Sequence, residues 1–173
     1  MATDWRRELD ALVRDALGES PDLAIELATD GAWLRAIARD GARVAARARP
    51  AALPFASGAW RSVALSLVGH TPAASDRVAL LGELQRATAG GASLVVVDHN
   101  RPRRLIAALG AVVGAPRVRG ASLAARWRRL AYPTAREVQA AGFVVRWLRF
   151  AAGERLQIIL AHREGCGDGA RSV

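Results

Sequence analysis

The run Leu94-Val95-Val96-Val97 is apolar at every position, and Asp98-His99-Asn100 ends it. A strand without polar alternation has both faces in a core. A chain holding such a strand must cover each side of its sheet, and helices packed on two faces do so. Ile158–Ala161 is a second run of the same kind.

The segments around these runs alternate. Residues 4–17 place Trp5, Leu9, Leu12, Val13, Ala16 and Leu17 at helical spacing, with Gly18 as a stop. Asp22–Ala28 reads as a short buried strand, and Thr29-Asp30-Gly31 as a turn. A short helix bearing Trp33, Leu34 and Ile37 is expected next, closed near Gly41, then a strand at Ala42–Ala46. Leu53-Pro54-Phe55 signals a loop and Ser62–Val68 a strand. Ser75 or Asp76 caps a helix running to about Ala87, and Ala89-Gly90-Gly91 turns into Ser93–Val97. Residues 103–113 and 121–131 read as helical, with a loop at 114–120. Thr134-Ala135-Arg136-Glu137 has the spacing of a capping box, and Gly142 closes that helix. Strands at 143–150 and 155–162 form a hairpin through Ala151-Ala152-Gly153-Glu154. The expected fold is α/β: an open, doubly wound, mostly parallel sheet with a closing antiparallel hairpin. Residues 1–163 read as one domain and 164–173 as a flexible tail.

Composition narrows the class. At 173 residues and 51% hydrophobic, the chain suits one core and is too apolar to be disordered. No stretch of about 18 residues is apolar and uncharged, so no membrane span is expected. Met1–Glu8 has no apolar segment of a secretory signal. The lone Cys166 excludes an internal disulfide, and a reducing cytoplasm is the expected location. All 25 basic residues are Arg, and Ala occurs 38 times, which fits a GC-rich bacterial genome. The net charge of +9 is nevertheless localised: Arg101–Arg136 holds nine Arg and no carboxylate. That segment reads either as a solvated face or as an anion-binding one for RNA, a phosphorylated substrate or an acidic partner.

Three passages carry a family resemblance. Leu53-Pro54-Phe55-Ala56-Ser57-Gly58-Ala59-Trp60, the passage from Leu80-Leu81-Gly82-Glu83-Leu84 through Val97-Asp98, and the final helix with Ala141-Gly142-Phe143 and the hairpin are the three. Together they resemble the class I S-adenosylmethionine-dependent methyltransferases, in particular the small-molecule, methyltransferase-11 type. The resemblance implies a Rossmann-like methyltransferase fold, S-adenosylmethionine as cofactor, and methyl transfer to a small metabolite. It places the cofactor turn at Glu26, Ala28, Thr29, Asp30 and Gly31.

The chain departs from the family at that turn. The three glycine positions hold Ala28, Asp30 and Ala32, and only the acidic position is kept, by Glu26. The ribose acid that the family places at the end of strand two is missing from Arg43–Arg49. The family's Asp after the aromatic aligns with Arg61, and the acid used toward adenine with about Arg49. Only eleven residues separate Gly41 from Leu53, too few for a strand, a crossover helix and another strand. The fold is therefore expected to be shortened after strand two.

His70 and His99 follow strand ends, where a methyltransferase would hold its acceptor, and either reads as a base for a substrate proton. Asp98, Asn100, Arg101 and Tyr132 read as lining the same side. The plainer reading is that such residues cap strand ends and hold loop backbone. His70, Asp98 and His99 share no element at ligand spacing, so no metal is expected. The five Trp read as core residues rather than base-stacking platforms, and neither a phosphate loop nor a Ser-centred nucleophile elbow is present. Three functions follow: an active methyltransferase with a small-molecule substrate; a catalytically degenerate subunit that pairs with another chain or a second copy; and an RNA-associated protein, for which no binding module is legible.

Overall fold

Parallel pairing is confined to the middle of the sheet. The computed structural model describes residues 5–27, 34–40, 43–46, 51–68, 74–100 and 133–165. Helix α1 (Trp5–Leu17) precedes strands β1 (Leu23–Leu27), β2 (Leu34–Ala38), β3 (Arg43–Ala46) and β4 (Trp60–Ser66). Then come α2 (Ala74–Ala87), β5 (Thr88–His99), α3 (Thr134–Ala140), β6 (Phe143–Ala151) and β7 (Leu156–Arg163). The seven strands lie in the order β3-β2-β1-β4-β5-β7-β6. Only β1–β4 and β4–β5 pair in parallel; the β1–β2, β2–β3, β5–β7 and β6–β7 pairs are antiparallel.

The apolar runs dictate the layers. Val63 and Leu65 of β4, with Leu94 and Val96 of β5, point to one face, where Leu80, Leu81 and Leu84 of α2 and Val138 of α3 cover them. Ala64, Val95 and Val97 point to the other face, beneath Val13 of α1. Both faces of β4 and β5 are thus buried, as the unbroken apolar runs require.

The sheet is mixed where a mostly parallel one was expected, and the reason lies near the N-terminus. The segment expected to be a helix, around Leu34 and Ile37, is strand β2, which pairs with β1 from Leu23↔Ala38 to Leu27↔Leu34. Six residues, 28–33, join the two strands. A parallel return would need about a dozen residues, so the short connection forces an antiparallel one. A helix of about two turns gains little over the cost of its nucleation, whereas β2 gains a ladder on each side. Its end is pinned as well: the Arg39 N–H donates to the Asp22 carbonyl at 2.9 Å, and its guanidinium meets Glu19 and Asp22 at 3.1 and 3.2 Å. The shortening thus begins directly after β1 rather than after the second strand.

Three smaller expectations also change. Ala89-Gly90-Gly91 lies inside β5, as an irregularity between the pairs Trp60↔Thr88 and Ser62↔Ser93, with Gly91 at φ +76°. The hairpin connection is shifted by one residue, since Ala151 still pairs with Leu156. Ala152, Gly153 and Glu154 all take positive φ there, a left-handed run in which two residues carry a Cβ. The structure also reverses the capping-box reading. Pro133 precedes α3 without a side-chain cap, and Thr134 and Glu137 turn inward. The Gly142 stop is as expected, at φ +88°.

The expected turn at Thr29-Asp30-Gly31, the helices at 103–113 and 121–131, the loop at 114–120, Trp33, Trp127 and Cys166 lie outside the described residues. Among the described residues, no helix is long and apolar enough to cross a membrane.

Candidate functional site

In an open α/β sheet, ligands gather at the carboxyl ends of the parallel strands, where neighbouring strands lead away in opposite directions. Here that edge is formed by the ends of β1, β4 and β5, at Leu27, Ser66 and His99. Glu26 stands beside Ser66 in the parallel ladder. The Ser66 Oγ is buried and finds no hydrogen-bond partner among the described residues.

The β5 end is occupied by the protein itself. Asp98 is fully buried and accepts from Thr134 Oγ1 at 2.7 Å and from Arg77 Nη2 at 2.9 Å. Arg77, on α2 and 1% exposed, also donates from Nε to Glu137 Oε2 at 2.8 Å. Thr134 Oγ1 accepts from Arg77 Nη2 at 2.9 Å and from Gln157 Nε2 at 3.2 Å, which fills its two lone pairs while its own proton goes to Asp98. Gln157 Nε2 donates in addition to the His99 carbonyl at 2.9 Å. Burial opposes the Arg77 charge, but Asp98 and then Glu137 outweigh it and raise the guanidinium's pKa above its ordinary value. One cation thus ties α2, α3, β5 and, through Thr134 and Gln157, β7.

The expected site residues fall as follows. Asp98 belongs to that internal network rather than to a cleft surface. The His99 ring meets the Val68 carbonyl through Nε2 at 3.0 Å, and its backbone N–H donates to Asp98 Oδ1 at 2.7 Å. Asn100 holds the hairpin, donating from its backbone N–H to the Arg155 carbonyl and from Nδ2 to the Glu154 carbonyl, each at 2.8 Å. Glu26 lies at the carboxyl edge of β1, half-buried. Ala28, Thr29, Asp30, Gly31, His70, Arg101 and Tyr132 lie outside the described residues, as does the Arg-rich segment up to Tyr132. Sequence reasoning missed Arg77. Its signal was present: Arg77 shares the helical stripe of Leu80, Leu81 and Leu84, which face the core. No group of three or more metal-ligating side chains occurs among the described residues.

The motif passages behind the resemblance have structural work. Glu83 Oε2 accepts from the Leu53 N–H at 3.0 Å, and Arg86 Nη2 donates to the Leu53 carbonyl at 3.2 Å. The two side chains pair at 2.8 Å, and the Arg86 hydrogen bond lowers the Glu83 pKa from its ordinary value. Arg86 also returns its carbonyl to the Gly58 N–H at 2.9 Å. Helix α2 therefore grips the Leu53–Gly58 loop by its backbone, and Phe55 packs edge-on against Trp60 at 6.0 Å.

Together, the seven strands and the helices on two faces define a Rossmann-like α/β fold. Among solved structures, a possible exported protein from Bordetella parapertussis superposes with a TM-score of 0.51 at 15% identity, over 69% of this chain and 43% of that one. A SAM-dependent methyltransferase from Methanosarcina mazei gives 0.50 at 14% identity, over 68% of this chain and 66% of that one. A SAM dependent methyltransferase from Aquifex aeolicus gives 0.45 at 13% identity, over 69% and 54%. The chain spans less than half the length of the first and just under two-thirds of the second. No protein-family model matches the sequence, and no curated protein matches it.

The described residues do not fit the adenosine half of S-adenosylmethionine. The antiparallel return carries the carboxyl end of β2 to the opposite edge of the sheet, where Ala38 faces Leu23. Strand β3, Arg43–Ala46, has no carboxylate to accept ribose hydroxyls. The buried Ser66 hydroxyl, beside Glu26 and without a partner among the described residues, suits a polar ligand.

Proposed function

We propose that the chain is a methyltransferase-fold protein without catalysis of its own, acting as a subunit that binds and stabilises another protein. The observation that carries this reading is the antiparallel β1–β2 register ending at Leu27↔Leu34. It leaves six residues, 28–33, between the two strands, whereas a helical crossover to a parallel neighbour needs about a dozen. The network around Arg77 supports the same reading, because it commits Asp98 to the scaffold.

Calorimetry with S-adenosylhomocysteine and S-adenosylmethionine tests it. The expected result is no binding heat and no thermal shift at millimolar ligand. Micromolar binding would overturn it, and at a hundredfold excess over the dissociation constant would add about 2.7 kcal/mol of stability. A second reading, methyl transfer to a small metabolite, is favoured by Glu26 standing beside the unpartnered Ser66 hydroxyl at the sheet's carboxyl edge. In that reading Glu26 and Ser66 hold the cofactor's polar end and a His at the same edge takes the substrate proton. The same calorimetry separates the two.

A further inference from the structure

Strand β6 closes one side of the sheet, so its outer backbone groups face no strand among the described residues. An exposed edge of this length is a template for another strand, and proteins usually blunt one. Here the strand carries a bulge and two exposed Arg, and it also turns apolar side chains outward. Val144, Leu148 and Phe150 are 39%, 37% and 46% exposed.

The register explains the last two. Val145 pairs with Ala161 and Trp147 with Leu160, so Arg146 is skipped. That extra residue exchanges the two faces of the strand. Before it, Phe143 and Val145 pack into the core beneath α2 and α3. After it, Trp147 packs toward α1, with Arg149 stacked over its ring at 4.5 Å. Leu148 and Phe150 therefore face the α3 side, paired with Ile159 and Gln157. Helix α3 has only seven residues and lies against the start of β6, so it leaves these two uncovered.

Charge selects the occupant. Neither β6 nor β7 contains a carboxylate, and Arg146 and Arg149 are both exposed. Asp15 of α1 lies 3.8 Å from Arg149 with both side chains largely exposed; such a pair contributes little. Two copies joined edge to edge would gather four Arg along one seam, which opposes self-pairing.

We propose that the free edge of β6 binds an extended, acidic segment of a partner protein by strand addition. Apolar residues of that segment would lie beside Leu148 and Phe150, and alternate carboxylates beside Arg146 and Arg149. Main-chain hydrogen bonds supply affinity in this mode, and alternate side chains supply specificity. The proposal names the interface for the partner-binding function, and it rests on that reading.

The test uses the full chain and two fluorescent peptides, one alternating Val with Glu and one alternating Val with Lys. Anisotropy should show saturable binding of the Val/Glu peptide alone, weakened by salt. Amide exchange should slow along β6 when it binds. Phe150→Glu and, separately, Arg146→Glu should each weaken binding about tenfold or more. Either variant suffices if the other fails to fold. Equal binding of both peptides, protection away from β6, or no binding would overturn the proposal. So would a dimer of the chain that Leu148→Lys dissolves, which would assign the edge to self-pairing. Cofactor calorimetry on the same preparation decides the non-catalytic reading separately: a chain that binds S-adenosylhomocysteine and the Val/Glu peptide keeps this interface and loses that reading.

Discussion

The half of the sheet from β4 to β7 and the half from β1 to β3 solve the same problem by different means. In the first, β4 and β5 are joined through a helix, are buried on both faces, and are locked by charged side chains acting over long sequence separations. Arg77 reaches Asp98, Thr134 and Glu137, and the Glu83–Arg86 pair holds Leu53. In the second, β1, β2 and β3 follow one another as an antiparallel meander, with six residues and then four between strands. Asp22 stitches the halves together: its Oδ2 accepts from the N–H groups of Arg61 and Ser62 at 3.1 and 3.0 Å. The parallel core β1-β4-β5 thus carries an antiparallel meander on one side and an antiparallel hairpin on the other.

The sharpest break in this contrast is Arg77→Ala. Removing the cation leaves Asp98 and Glu137 facing each other with no counter-charge in a buried site. The expected cost is about 3–5 kcal/mol by urea unfolding. A cost under about 1 kcal/mol would mean that the network does not hold the half together.

A matched pair of apolar truncations comes next. Leu84→Ala empties a fully buried position under β4 and β5 and should cost about 2–5 kcal/mol. Ile37→Ala, at a residue 40% exposed on β2, should stay within about 0.5 kcal/mol. Equal effects would erase the distinction between the halves.

The smallest effect is a pH dependence at the β5–β7 seam. His162 meets Ser93 Oγ through Nδ1 at 3.2 Å. Burial, and then Arg146, lower its pKa from the ordinary value. The unfolded chain thus takes up the proton more readily than the folded one. The contribution of this group is complete above the ordinary His value of about 6.5, and is lost progressively as pH falls below it. Unfolding at a series of pH values should show stability declining through that range, with a shallower decline in His162→Gln. An unchanged slope in the variant would assign the decline to other groups.

The β4–β7 half was also the more legible in sequence. Its strands are long apolar runs, and its turns carry Gly142 and Gly153, so local signals and tertiary needs agree. Where they diverged, reading failed. Thr134 and Glu137 have capping-box spacing, yet both turn to Arg77, which is remote in sequence and buried among leucines. A local rule cannot see such a partner, although an Arg on an apolar helical stripe gives notice that one exists. The helix expected around Leu34 and Ile37 failed for a similar reason. Five residues at mixed spacing carry little intrinsic preference, and the neighbouring β1 decided the outcome through its ladder. At the candidate site, Glu26 and the strand-end positions of Asp98, His99 and Asn100 were legible. The plainer reading, that these residues cap strand ends and hold loop backbone, is what His99 and Asn100 do. The commitment of Asp98 to Arg77 was not legible, because it depends on α2 and α3 folding back onto it.

The central claim is that an antiparallel return replaces the helical crossover after β1. Nuclear magnetic resonance tests it most directly, through α-proton contacts between Leu23–Leu27 and Leu34–Ala38. Facing residues of an antiparallel pair bring their α-carbons to about 4.5 Å at alternate positions. The account predicts cross-strand α-proton contacts in the register that sets Leu23 opposite Ala38 and Leu27 opposite Leu34. Their absence, with sequential amide contacts of a helix through Leu34–Ala38, would restore the crossover and contradict the account.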